Sequence, residues 1–98
     1  MRAEFDVYCG IDVGKARHHL CALDRTGVKV INRGLANDEA ALRSAFTTLT
    51  ECGRVQVVVD QVSANATLIL AVARDMGLQV AYLPGLTMRR LADLHPGR

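Results

Sequence analysis

Asp12 and Asp60 each close an apolar run, Val7-Tyr8-Cys9-Gly10-Ile11-Asp12 and Val55-Gln56-Val57-Val58-Val59-Asp60. If the two runs are neighbouring parallel strands, ~4.8 Å apart, both acids emerge at the carboxyl edge of one sheet. That edge is where α/β folds build their sites. Two carboxylates brought so close repel unless a cation separates them. Hard oxygen donors on a rigid edge suit Mg²⁺ or Mn²⁺. Two such ions about 3.5–4 Å apart can activate a nucleophile and stabilise the leaving oxygen of a phosphodiester. A single Asp after a strand is most often just a solvated chain exit. The pairing of the two on adjacent parallel strands, each after an apolar run, sets a metal site level with that reading.

Other residues near these acids carry weaker signals. Lys15 is placed to contact a phosphate or to be a solvated loop charge. His18 and His19 fall in one strand-like segment, so one faces the core and the other solvent, and no partner spacing supports metal ligation by either. Asp24 belongs to the turn Asp24-Arg25-Thr26-Gly27, where Asp serves the backbone. Residues 13–34 carry Lys15, Arg17, Arg25, Lys29 and Arg33 against the one acid Asp24. Such a basic hairpin can follow a nucleic-acid backbone or keep an exposed sheet edge from aggregating. Gly10-Ile11-Asp12-Val13-Gly14-Lys15 is not a phosphate-binding loop of the Walker type: it is one residue short and spans a strand rather than a free loop before a helix.

The elements that must position these residues follow from hydrophobic period. Phe5, Val7, Cys9 and Ile11 alternate with Asp6, Tyr8, Gly10 and Asp12, a period of two that predicts a strand. Arg17 to Leu23 and Val28 to Arg33 are two further strands, joined as a hairpin by the turn at 24–27, where Gly supplies φ > 0. Asn37 is the expected N-cap of a helix with Asp38 and Glu39 in its first turn. Leu42, Phe46 and Leu49 form its apolar stripe, and Cys52-Gly53 closes it. Val55 to Asp60 reads as a strand buried on both faces. Ala64 to Met76 is a second helix with Leu68, Val72 and Met76 on one face and Gly77 as its stop. Leu78 to Leu83 is a fifth strand, broken by Pro84-Gly85. Leu86 to Leu94 is a short third helix. The order βββαβαβα, with right-handed crossovers, gives an α/β mixed sheet of order 3-2-1-4-5. That is the ribonuclease-H-like layout, and actin-like ATPase half-domains begin the same way.

Composition bounds the rest. Ninety-eight residues allow one compact domain. Half are hydrophobic, which excludes a disordered chain. Aromatics are 4% with no Trp, so the core must be built of Val, Leu, Ile, Ala and Met. A net charge of +2 neither names nucleic acid as a partner nor excludes it. Cys9, Cys21 and Cys52 are odd in number and never form a CxxC pair, which argues against a disulfide framework or zinc site and for buried thiols. The N-terminus has no signal-like apolar core, and no run approaches the ~18 apolar residues that span a bilayer. A cytoplasmic protein with no membrane partner is expected.

Cys9-Gly10-Ile11-Asp12-Val13-Gly14-Lys15, the hairpin ending Leu23-Asp24-Arg25-Thr26-Gly27, and Val57-Val58-Val59-Asp60 resemble the N-terminal domain of DEDD insertion-sequence transposases. So does Leu78 to Leu86 with Met88-Arg89-Arg90-Leu91-Ala92. That domain is RuvC-like, and these enzymes work with a guide RNA encoded by the element. The resemblance implies a divalent metal, Mg²⁺ or Mn²⁺, a DNA substrate and a homo-oligomer in the complete protein. It implies that Asp12 is the first acidic ligand and Asp60 the second. The family usually has Glu at the second position, so Asp60 is a departure, one methylene shorter. Lys15, Arg17, Arg89 and Arg90 are the expected nucleic-acid contacts. The family's third and fourth acids lie on a later helix, after the segment matched by Arg89 to Arg98, and a serine nucleophile sits in a further domain. Residues 1–98 are thus expected to be one RuvC-like domain, incomplete at its C-terminus and ending before the last catalytic helix. Alone it is expected neither to cut nor to join DNA.

Two other readings compete. A sugar-kinase or actin-like ATPase fragment would place Asp12 and the next loop against ATP through Mg²⁺, but Lys15-Ala16-Arg17 stands where that class often has Thr or Ser. A non-catalytic nucleic-acid module would use Arg17, Arg25, Lys29, Arg33, Arg89 and Arg90, with salt-sensitive, metal-independent binding.

Overall fold

The computed structural model describes residues 5–85. The alternation at the N-terminus gives β1 (Val7–Asp12), with Val7, Cys9 and Ile11 wholly buried. It is followed by β2 (Arg17–Asp24) and β3 (Lys29–Ala36). The hairpin turn forms as expected. Asp24 Oδ1 accepts from Thr26 N–H at 2.9 Å and Val28 N–H at 3.0 Å, and Gly27 takes φ 85°. β3 runs three residues beyond the expected Arg33, to Ala36, because its ladder continues as far as Arg17, where β2 begins.

Helix α1 (Glu39–Thr50) buries Leu42, Ala45, Phe46 and Leu49. Its N-cap is Asp38, not Asn37: the Asp38 side chain accepts from Ala40 N–H at 3.2 Å. Asn37 still belongs to the ladder region, its N–H donating to Ala16 C=O at 3.1 Å. After β4 (Val55–Val59), the expected second helix opens as a 3-10 turn over Ala64–Ala66 and becomes α2 (Thr67–Asp75). The tighter turn shifts the helical phase. Ile69, Val72 and Ala73 are buried, while Leu68 and Met76, expected on the inner face, are only partly covered. β5 (Gln79–Tyr82) completes the sheet. The expected third helix, Leu86 to Leu94, lies outside the described residues.

The sheet order is β3-β2-β1-β4-β5, as expected, with β1, β4 and β5 parallel and the β1–β2–β3 pairs antiparallel. Two successive crossovers of one hand, stepping in one direction, put both helices on the same face. The main core confirms it: Val7, Cys9, Ile11, Leu20, Ala22, Val57 and Val59 pack with Leu42, Phe46, Leu49, Ile69 and Val72. Arg43 ties the helices together outside, bonding Glu39 at 2.8 Å and Asp75 at 2.7 Å. Cys9 and Cys21 are buried and their thiols raised by burial, while Cys52, expected to be buried, is exposed on the turn after α1. Among the described residues, no helix is long and apolar enough to cross a membrane.

Candidate active site

Alternation along a strand decides which face each side chain takes. Val7, Cys9 and Ile11 meet the helices, so Tyr8, Gly10 and Asp12 point to the other face. In β4, Val55, Val57 and Val59 meet the helices, so Gln56, Val58 and the following Asp60 point away with Asp12. Ile11 is in parallel register with Val59. The next residues, Asp12 and Asp60, therefore leave the sheet side by side.

The two carboxyls are close enough to share a hydrogen bond, and Asp12 holds its proton to a higher pH than an ordinary carboxyl. Asp12 is exposed as a residue, yet partial desolvation of its carboxyl is the largest cause. The hydrogen bond with Asp60 and the charge of Asp60 add to it, and nearby His19 opposes them. A proton here does what a cation would do between two acids.

The loop after Asp12 is clamped at successive backbone groups. Val13 N–H donates to Asp60 Oδ1 at 3.0 Å, and Val13 C=O accepts from Gln61 Nε2 at 3.3 Å. Gly14 N–H donates to His18 Nδ1 at 3.1 Å. His18 is 2% exposed. With Nδ1 accepting, its proton sits on Nε2, which is buried and has no partner among the described residues. His18 is thus the core-facing histidine and a support of the loop, while His19 is exposed, as the alternation requires. The parity of His18 with Leu20 and Ala22 carried that signal; nothing in the sequence pointed to Gln61.

Gly14 is fixed by space. A Cβ at this position would overlap the carbonyl oxygen of Arg17. Gly14→Ala is expected to destabilise the domain by about 1–3 kcal/mol, the usual range for overpacking, as read by a lower denaturant midpoint. An unchanged midpoint would show that the loop can move aside.

Asp12 and Asp60 are brought together. Lys15 is exposed in the clamped loop, and Arg17 is exposed at the start of β2. The basic hairpin does not form one patch. Arg25 sits at the far end of the sheet, bonded to Asp6 at 3.4 Å, and Lys29 opens β3 near that same end. Arg89 and Arg90 lie outside the described residues. The donor set fits a hard divalent cation: two carboxylates, one oriented by a backbone N–H. Among the described residues no third acid, histidine or cysteine joins them to complete a metal cage.

Residues 9–98 match a transposase family, the DEDD transposases of IS110-type insertion elements. The chain is 51% identical over 92 residues to the 43.6 kDa protein of insertion element IS110 from Streptomyces coelicolor, covering 93% of this chain and 23% of that protein. It is 33% identical over 94 residues to the 42 kDa protein of IS900 from Mycobacterium paratuberculosis, covering 93% and 24%. The chain thus spans about a quarter of the length of these relatives. Among solved structures, Thermus thermophilus RuvC superposes with a TM-score of 0.54 at 13% identity, over 80% of this chain and 63% of RuvC. That likeness concerns the fold.

Proposed function

From the premise that this chain belongs to the IS110-type DEDD transposase family, we propose that it is the RuvC-like part of an enzyme that cuts and rejoins DNA to move an insertion element. The observation that carries this is the Asp12–Asp60 pair at the carboxyl edge of neighbouring parallel strands. In this reading Asp12 and Asp60 hold a divalent cation, Mg²⁺ or Mn²⁺. The bound ion would supply Lewis-acid stabilisation of charge on a phosphodiester. The chain's own contribution is to fix the pair. Val13 N–H orients Asp60, while His18 and Gln61 hold the loop that follows Asp12. Asp60 stands where the family usually has Glu, and its carboxylate is held close to the backbone just after β1 by Val13 N–H. The remaining acids and the serine lie, by family resemblance, in later parts of a complete transposase. The guide RNA and a second copy of the protein belong to that same reading.

Proton and cation compete for the pair, which gives the test its sign. Asp12 has a raised folded-state value, so its protonated form stabilises the fold at low pH. That contribution is lost as pH rises from the ordinary carboxylate range through the raised value. A cation takes over above that window. At a concentration tenfold above its Kd, Mn²⁺ is expected to add about 1.4 kcal/mol of stability at pH 7, seen as a higher melting temperature, and much less at pH 4. A melting temperature indifferent to Mn²⁺ at pH 7 would overturn the metal assignment.

A further inference from the structure

The face that carries Asp12 and Asp60 is not the face covered by α1 and α2. On it, the register lays further polar side chains in line with the acid pair. His19 is the direct cross-strand partner of Asp12, and Gly34 is the partner of His19 on β3. Asn32, two residues from Gly34, reaches the His19 ring: its Oδ1 lies 2.7 Å from Nε2. A side-chain amide oxygen only accepts, so Nε2 carries the hydrogen and the imidazole is fixed in orientation. Arg17 shares this face with His19, one step nearer the carboxyl edge. Its guanidinium lies over Gly34, where a Cβ would stand 3.0 Å from Nη2. Gly34 thus leaves a shallow seat that a larger residue would fill. Among the described residues Arg17 has no carboxylate partner, although Arg25 and Arg43 both have one.

Crossing β3, β2, β1 and β4 in order, the edge presents a guanidinium, a held imidazole and then two carboxylates. An open ledge that alternates an anion-seeking guanidinium with a cation-seeking acid pair suits an extended polyanion whose charge is shared between fixed cations and metal. A small nucleotide would need an enclosing cavity. Two grooves among the described residues lie at the amino ends of the parallel strands instead, one against Leu70, Arg74 and Leu78, the other against Phe5, Arg54 and Gln79.

We infer that Arg17, seated over Gly34 beside the His19–Asn32 pair, is the subsite for a DNA phosphate flanking the one at Asp12 and Asp60, so that the strand crosses the sheet edge from β3 toward β4. The inference rests on the proposed nuclease reading for the identity of its polymer.

The experiment measures binding of a fluorescein-labelled single-stranded DNA oligonucleotide to the 98-residue chain by anisotropy, over a range of salt and in Ca²⁺. Arg17→Gln is expected to weaken binding about five- to tenfold near 0.1 M salt and to reduce the slope of log K against log salt by about 0.7, the single-strand value for one phosphate contact. Arg17→Lys, which keeps the charge, is expected to keep the slope. Arg17 is exposed, and an unchanged melting temperature checks that the variants remain folded. An Arg17→Gln slope equal to that of the unaltered chain overturns the inference. So does a loss seen only with an RNA oligonucleotide of the same sequence, which would assign the ledge to RNA. The Mn²⁺ melting test above is independent: it can fail while the Arg17 slope changes, or succeed while the slope does not.

Discussion

In a complete transposase carrying this domain, Asp12→Asn is expected to lower element excision at least about 100-fold, the upper end of what perturbing a metal site through its supporting shell already costs, while the protein stays folded. The substitution keeps the shape of the side chain and removes its charge. An amide at position 12 can still donate to Asp60, so the contact across β1 and β4 survives. Desolvation is the largest cause of the raised Asp12, and the like-charge repulsion from Asp60 that adds to it disappears. The melting temperature without metal is therefore expected to hold steady or rise. What is lost is one of the two anionic donors on which a hard cation depends. A plasmid excision assay paired with a thermal melt reads both sides. Undiminished excision would remove Asp12 from the chemistry. Lost excision with a collapsed melting temperature would show instead a structural role for the acid.

The alternation of β1 and the continuous run of β4 were enough to place Asp12 and Asp60 together, because strand period, parallel crossover and handedness leave few ways to order five strands. Gly27 and Gly77 marked a turn and a helix stop that the structure keeps, both with positive φ. The misread details have local causes. Asn37 and Asp38 are both good caps, and which one starts the helix depends on the β2–β3 ladder, whose extent is a tertiary fact. The inner face of α2 depends on a 3-10 turn at Ala64–Ala66 that leaves no mark in the apolar spacing. The clamps on Val13 and Gly14 come from Asp60, Gln61 and His18, side chains distant in sequence or on the next strand. Local pattern does not encode such bonds. The same applies to the seat of Arg17 over Gly34, which exists only once β2 and β3 are in register.

Stability rests on a core poor in rings. The chain has two Phe, two Tyr and no Trp, and Phe46 is the fully buried one, at 0% exposure. It projects from α1 between Leu42 and Leu49 onto the strand residues of the same core. Phe46→Ala is expected to cost about 3–5 kcal/mol, against a total of roughly 5–15 kcal/mol for a domain of this size. The denaturant midpoint should fall by about a fifth or more with little change in slope, since the surface exposed on unfolding is nearly the same. Val30→Ala, at a site 40% exposed, is the control and should shift stability by less than about 0.5 kcal/mol. The two large effects are separable. Phe46→Ala lowers function only as far as it depopulates the folded state, so a stabilising osmolyte should restore it in part. Asp12→Asn leaves the folded state full, and no such treatment should bring excision back. A Phe46→Ala midpoint close to that of Val30→Ala would mean that α1 is not the main cover of this sheet. The acid pair would then be positioned by something other than the core on its reverse side.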